Sequence, residues 1–145
     1  MIGRVAVILA CATVFATGCG GSADGSGGRD PVFETKPFET VPSNSGALLL
    51  AVYGEAGRTP ARGANAFRYV ITDSSGAPVE GVQLTVTPWM PDMGHGSSVT
   101  PKVTAAGAGA FMITDVYFAM PGRWDLISNF SGRVTDAAKP SLQIP

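Results

Sequence analysis

From residue 46 onward, short apolar segments alternate with turn-forming residues. The clearest segment is residues 82–87, where Val82, Leu84 and Val86 alternate with polar residues, as in a half-buried strand. No segment keeps a helical period of 3.6 residues. The pattern therefore predicts an all-β chain with about seven strands. These segments are residues 47–53, 66–72, 82–87, 98–104, 110–118, 124–130 and 141–144.

The spacing of these segments predicts how they pack. About seven short antiparallel strands over about 100 residues are typical of a two-sheet β-sandwich of the immunoglobulin-like type. Turn residues separate the segments at positions 73–76, 92–94 and 121–122. Trp89 and Trp124 are the candidate core anchors. Because no cysteine follows Cys19, we expect the sandwich to be held by apolar packing without a disulfide.

The first residues have the layout of an export signal. Arg4 is followed by an apolar stretch to about residue 16, which is too short to span a bilayer core of about 30 Å. Residues 16–19 (ATGC) resemble the lipobox of bacterial lipoproteins, although Ala16 stands where a larger aliphatic residue is usual. We therefore expect a signal peptide over residues 1–18 and a lipid on Cys19. The protein is expected in the cell envelope, anchored to a membrane and facing the periplasm or the exterior.

Residues 19–45 are predicted to be a lipid-anchored linker, and residues 46–145 to be the β-sandwich domain. Five glycines lie among residues 20–28, and three prolines between residues 31 and 42 exclude a helix. The tripeptide Phe-Glu-Thr occurs twice, beginning at Phe33 and at Phe38. This repeat is either a coincidence or a means of docking the two phenylalanines onto the domain.

Composition and charge exclude some classes of function. The chain has 45% hydrophobic and 14% charged residues, so it is charge-poor and has enough apolar material to fold. Ten Lys and Arg oppose eleven Asp and Glu, and no basic run occurs. We expect no nucleic-acid partner, because no stripe of positive charge is available for phosphates.

Two segments concentrate unusual side chains, residues 89–96 (WMPDMGHG) and residues 118–124 (FAMPGRW). They contain the only histidine of the chain, and thioether sulfur and imidazole together favour Cu(I), while Mg and Ca prefer carboxylates and structural Zn prefers thiolates. The two segments can share an ion only if they lie at the same end of the sandwich. Core packing against tryptophan is the alternative role for Met90 and Met120. The candidate copper ligands are Met90, Met93, His95 and Met120.

Four stretches carry a resemblance to a known family: residues 73–82 (DSSGAPVEGV), 90–96 (MPDMGHG), 109–111 and 116–126. Together they make residues 66–130 similar to YtkA-like domains, which are related to the FixH-like proteins linked to copper-oxidase maturation. The resemblance implies an immunoglobulin-like domain that is exported or membrane-anchored. It also implies copper handling, with the same four ligand candidates.

Catalysis is not expected. The chain has one histidine, no thiol after Cys19, no nucleophile elbow and no phosphate-binding loop. Two hypotheses follow. In the first, the domain binds copper, as Cu(I), for handling or delivery, with a copper donor or acceptor protein as partner. In the second, it is a protein- or glycan-interaction module of the envelope that binds no metal.

Overall fold

The computed structural model describes residues 30–145. The predicted signal peptide, Cys19 and the first part of the predicted linker lie outside these residues. All regular elements of the described part are β-strands. The strands are β1 (Glu39–Pro42), β2 (Leu48–Gly54), β3 (Gly63–Asp73), β4 (Val82–Met90), β5 (His95–Gly96), β6 (Lys102–Gly107), β7 (Ala110–Phe118), β8 (Gly122–Gly132), β9 (Asp136–Ala138) and β10 (Ser141–Ile144).

The strands form two antiparallel sheets, which confirms the predicted β-sandwich. One sheet has the order β1-β2-β3-β7-β6, and the other has the order β10-β8-β4-β5 with β9 paired to β8. The strand count is ten in the described part instead of about seven. The additional strands β1, β5 and β9 have two to four residues, and their sequences (ETVP, HG and DAA) lack the alternation of apolar and polar residues that the equally short β10 (SLQI) shows.

Strand alternation decides which side chains enter the core. Along β4, Val82, Leu84 and Val86 are buried and the residues between them are exposed, as predicted. The same alternation continues to Met90, which is buried, and leaves Trp89 half-buried on the opposite face. The expectation that both tryptophans anchor the core was therefore wrong for Trp89, whereas Trp124 on β8 is fully buried.

The folded domain includes part of the segment predicted as linker. Strand β1 lies within residues 19–45 and pairs with β2 from Glu39↔Val52 to Pro42↔Leu49. The Phe38 ring packs against Phe67 of β3 with 5.9 Å between ring centroids. Apolar periodicity does not reveal this strand, because its sequence (ETVP) has no alternation of apolar and polar residues. Of the two explanations for the Phe-Glu-Thr repeat, the docking of Phe38 fits the structure.

The turn between β1 and β2 is tied to the opposite sheet. The amide of Asn44 donates to the Ala137 carbonyl at 2.7 Å, and the Ser45 hydroxyl donates to the Asp136 carboxylate. Hydrogen bonds from the Ser43 and Ser45 side chains lower the pKa of Asp136 to about 2. These contacts fasten the edge strand β1 to β9, so they close the sandwich at this end.

The opposite end, which we call the site pole, gathers three connections. The register places Phe118 of β7 beside Gly63 of β3, and Gly122 of β8 beside Ile144 of β10. The β2–β3 loop, the β4–β5 turn and the β7–β8 loop therefore lie at one end of the molecule. Within residues 30–145, no helix is long and apolar enough to cross a membrane.

Replacing Asp136 by Asn is expected to lower the thermal midpoint at pH 7, because the charge-assisted hydrogen bonds from the serines are weakened. Since the pKa of Asp136 is lowered in the folded state, its stabilisation is present above about pH 4 and is lost as the pH falls toward 2. The thermal midpoints of the unaltered protein and of Asp136→Asn should therefore become similar as the pH falls toward 2. Thermal unfolding followed by circular dichroism between pH 2 and 7 measures this. Glu80→Gln, at an exposed carboxylate before β4, is the control. A difference that persists at pH 2 would contradict the account.

Candidate functional site

A tight turn joins the two strands that hold Met90 and His95. Met90 ends β4, His95 begins β5, and the two residues are directly paired. The Met90 carbonyl accepts hydrogen bonds from the amides of Met93 and Gly94, at 3.2 and 2.9 Å. Gly94 has a φ of 68°, which glycine adopts without strain. The turn therefore holds the three predicted ligands of this segment on a short, well-anchored piece of backbone.

Met90 reaches across to the start of β8. Its side chain points into the core, where the residue is 5% exposed. A Cβ atom placed on Gly122 would lie 2.5 Å from the terminal methyl of Met90, and Gly122 has a φ of 127°. A side chain at position 122 would therefore require the flexible end of Met90 to move, in addition to straining the backbone.

His95 lies on the same face of the sheet as Met90, because directly opposed residues in an antiparallel pair share a face. Its ring is half-buried and meets the Trp124 ring edge to face, with centroids 6.4 Å apart. Its Nδ1 lies 3.1 Å from the Gly96 carbonyl oxygen. Since a carbonyl only accepts, the neutral ring carries its proton on Nδ1 and has its lone pair on Nε2. This arrangement is typical of metal-ligating histidines.

Met120 belongs to the β7–β8 loop and is half-buried against the core. Its carbonyl accepts a hydrogen bond from the indole Nε1–H of Trp124 at 3.0 Å. Trp124 thus contacts both the backbone of Met120 and the ring of His95. The two segments singled out in the sequence meet at this tryptophan.

The structure places all four predicted ligands at the site pole, three of them at least half-buried and one exposed. The Met90 methyl lies at Gly122, the His95 ring meets the Trp124 ring, and the Met120 carbonyl accepts from the Trp124 indole. We call Met90, His95 and Met120 the Met/His cluster. Met93 lies at the tip of the turn and is 58% exposed. Sequence reasoning missed the parts played by Gly122 and the Gly96 carbonyl. The sequence Met-Pro-Gly-Arg-Trp could have indicated a role for Gly122. The role of the Gly96 carbonyl could not be predicted, because every residue has a backbone carbonyl.

Two carboxylates lie near the cluster in sequence, Asp92 in the β4–β5 turn, which is exposed, and Asp125 on β8, which is buried. Asp125 follows Trp124 and faces the opposite side of β8, where its carboxylate accepts from the Ser141 hydroxyl at 2.7 Å and pairs with Arg123 and Lys139. Burial raises the pKa of Asp125, but the Ser141 hydrogen bond and the two cations outweigh burial and lower it overall. Within residues 30–145, no three His, Cys, Asp or Glu side chains gather as a metal-binding group. The donors of the cluster are two thioethers and one imidazole.

These features define a class of protein: a β-sandwich without cysteine in its folded part, which carries a methionine and histidine cluster at one pole. The family model for YtkA-like domains matches residues 55–129, more than half of the 145-residue chain. The chain belongs to the YtkA-like family. The matched range runs through the β4–β5 turn and the β7–β8 loop, so it contains the whole candidate site.

Comparison with solved structures finds a protein of the DUF4426 family from Pseudomonas aeruginosa PAO1. It is 11% identical, and the match covers 72% of this chain and 92% of that protein with a TM-score of 0.47. No curated protein matches the chain.

Gly122→Ala is expected to destabilise the domain by more than about 1 kcal/mol, because its backbone conformation disfavours a side chain. The new methyl also displaces the end of Met90. The loss of unfolding free energy in the double variant Gly122→Ala/Met90→Ala should therefore be smaller than the sum of the losses in the two single variants, by at least about 0.5 kcal/mol. Chemical unfolding of the four proteins measures this coupling.

Gly94→Ala is the matched control, because Gly94 also has a positive φ but a Cβ there meets no atom within 4 Å. Its effect should add to that of Met90→Ala. Additive behaviour at Gly122 as well would show that the contact with Met90 is not what requires glycine there.

Proposed function

We propose that this domain binds one Cu(I) ion at the Met/His cluster and serves copper handling or delivery in the cell envelope. The observation that carries the proposal is the contact between His95 Nδ1 and the Gly96 carbonyl. It leaves the lone pair of Nε2 available at the pole of the sandwich that also carries Met90 and Met120. Met93 is the fourth candidate ligand, at the exposed edge of the cluster.

The donor set favours Cu(I) over harder or more highly charged ions. Thioether and imidazole are soft or borderline ligands, and thioethers need no deprotonation and form no disulfides. All the donors are neutral, so they leave the charge of a bound ion uncompensated. Because the cost of burying an ion rises with the square of its charge, a half-buried site of this kind suits a monocation better than a dication.

The proposed location follows from the predicted export signal and from a lipid on Cys19, which would attach the domain to a membrane. A copper donor or acceptor protein of the envelope is the proposed partner. The chain enters the domain at the site pole, where Phe33 bridges to Glu55 and the Val32 carbonyl accepts from the amide of Ala56 at 2.8 Å. A membrane anchor would therefore be joined to the end of the sandwich that carries the cluster.

A Cu(I) titration tests the proposal. The chain from Gly20 onward contains every described residue and neither cysteine. Under reducing, oxygen-free conditions we expect it to remove one equivalent of Cu(I) from bicinchoninate, measured by the loss of the chelate's absorbance. His95→Gln and Met120→Leu should each weaken binding by more than about tenfold, because each removes one donor.

Met112→Leu is the matched control for these variants. Met112 lies on β7 between the buried residues Phe111 and Ile113, so strand alternation places its side chain on the outer face of the sheet, away from the core. The Met112→Leu variant should bind Cu(I) with the same affinity as the unaltered chain. Chelator-bound copper that stays unchanged on addition of the protein would refute the proposed function.

Copper affinity should fall in acid, because a protonated imidazole has no lone pair to donate. Once the His95 ring is cationic, the apparent affinity is expected to decrease by up to about tenfold per pH unit. Repeating the titration between pH 5 and 8 measures the slope. In His95→Gln the remaining thioether donors do not titrate, so its weaker binding should be flat over this range. The same slope in both proteins would exclude His95 as a ligand.

One observation favours the alternative function, an interaction module that binds protein or glycan. A groove of about 550 Å³ lies between the segment leading into β1 and the free edge of β10, and it is lined by Phe38, Pro60 and Leu142 among others. Phe38 is partly exposed there. This reading would gain support if the Cu(I) titration were negative.

A further inference from the structure

We propose that Met93 is the exchange ligand of the site, the residue through which Cu(I) passes between the Met/His cluster and a partner that presents thioether or thiolate sulfur. This inference rests on the proposed function. It assigns different tasks to ligand candidates that the sequence alone could not tell apart.

Accessibility separates the methionines of the β4–β5 turn. Met90 is 5% exposed and its terminal methyl is packed against Gly122, so no acceptor protein can reach its sulfur from outside. Met93, three residues further, is 58% exposed. His95 and Met120 are half-buried beside Trp124. Met93 is therefore the candidate ligand that is most accessible to an acceptor at the site pole.

The backbone holds Met93 close to the cluster while its side chain stays free. The Met93 amide donates to the Met90 carbonyl at 3.2 Å, which places the Met93 backbone within the turn that connects Met90 to His95. Its side chain is unbranched and has three rotatable bonds, so the sulfur can swing between the cluster and the solvent. Stepwise transfer of Cu(I) requires a sulfur ligand that can move between the site and the acceptor while its backbone stays in place. Met93 meets both requirements.

The exchange involves no redox change and no proton. The sulfur of the acceptor donates a lone pair to Cu(I) as the bond from the Met93 sulfur breaks, and the remaining bonds from the cluster are replaced in turn. Copper remains Cu(I), and each bond formed is matched by one broken. An acceptor with hard oxygen donors would be a poor partner, because such donors do not compete with thioethers for a soft ion.

The test separates affinity from rate. Met93→Leu removes the sulfur and keeps a side chain of similar volume over the site. With the chain from Gly20 loaded with one equivalent of Cu(I), transfer to excess bicinchoninate is followed by stopped-flow absorbance. We expect Met93→Leu to change the equilibrium affinity by less than about threefold and to slow the transfer by about tenfold.

Met120→Leu should show the reverse, with a large loss of affinity, because Met120 belongs to the cluster that retains the ion. Met112→Leu should change neither quantity. The inference is wrong if Met93→Leu transfers copper at the unaltered rate, or if it loses as much affinity as Met120→Leu does. A chain that binds no Cu(I) at all would overturn the proposed function itself, and with it this inference, so the two failures are distinct.

Discussion

The site pole depends on a single buried side chain, the indole of Trp124. Its ring packs against Phe118 with centroids 5.3 Å apart, its Nε1–H donates to the Met120 carbonyl, and its ring meets that of His95 in a T-shaped arrangement. A buried indole N–H without a partner is costly, so the hydrogen bond to Met120 secures the β7–β8 loop as well as satisfying the donor. Trp124 is therefore the residue that connects the β4–β5 turn, through His95, to the β7–β8 loop, through Met120.

The chemistry available at this pole follows from what the chain lacks as much as from what it contains. After Cys19 the sequence has no thiol, and within residues 30–145 its acidic side chains form no metal-binding group with the lone histidine. The carboxylate of Asp125, which follows Trp124, is held on the outer face of β8 by Arg123, Lys139 and Ser141, and the carboxylate of Asp92 in the β4–β5 turn is exposed. Neutral soft donors are what remains, and they are the donors that would function in an oxidising compartment without competing disulfide chemistry.

The two ends of the sandwich are stabilised by different interactions. At the end away from the site, exposed hydrogen bonds to Asp136 join the β1–β2 turn to β9. At the site pole, buried aromatic and sulfur-containing side chains fill the space between the sheets. Only the second arrangement leaves half-buried donor atoms near the surface, because apolar packing does not use up the lone pairs of sulfur and imidazole nitrogen.

The sequence alone determined the features that depend on near neighbours. Alternation of Val82, Leu84 and Val86 specified a strand and its buried face, and the two methionine-containing segments specified the candidate donors. Short strands such as β1 and β5 were missed, because their sequences (ETVP and HG) show no alternation of apolar and polar residues.

Only the tertiary structure decided that the two segments meet, that Met93 faces solvent while Met90 is buried, and that Trp89 points away from the core. These outcomes depend on strand order and register between residues far apart in the chain, such as the pairing of β4 with β8. Local patterns carry no information about such non-local contacts.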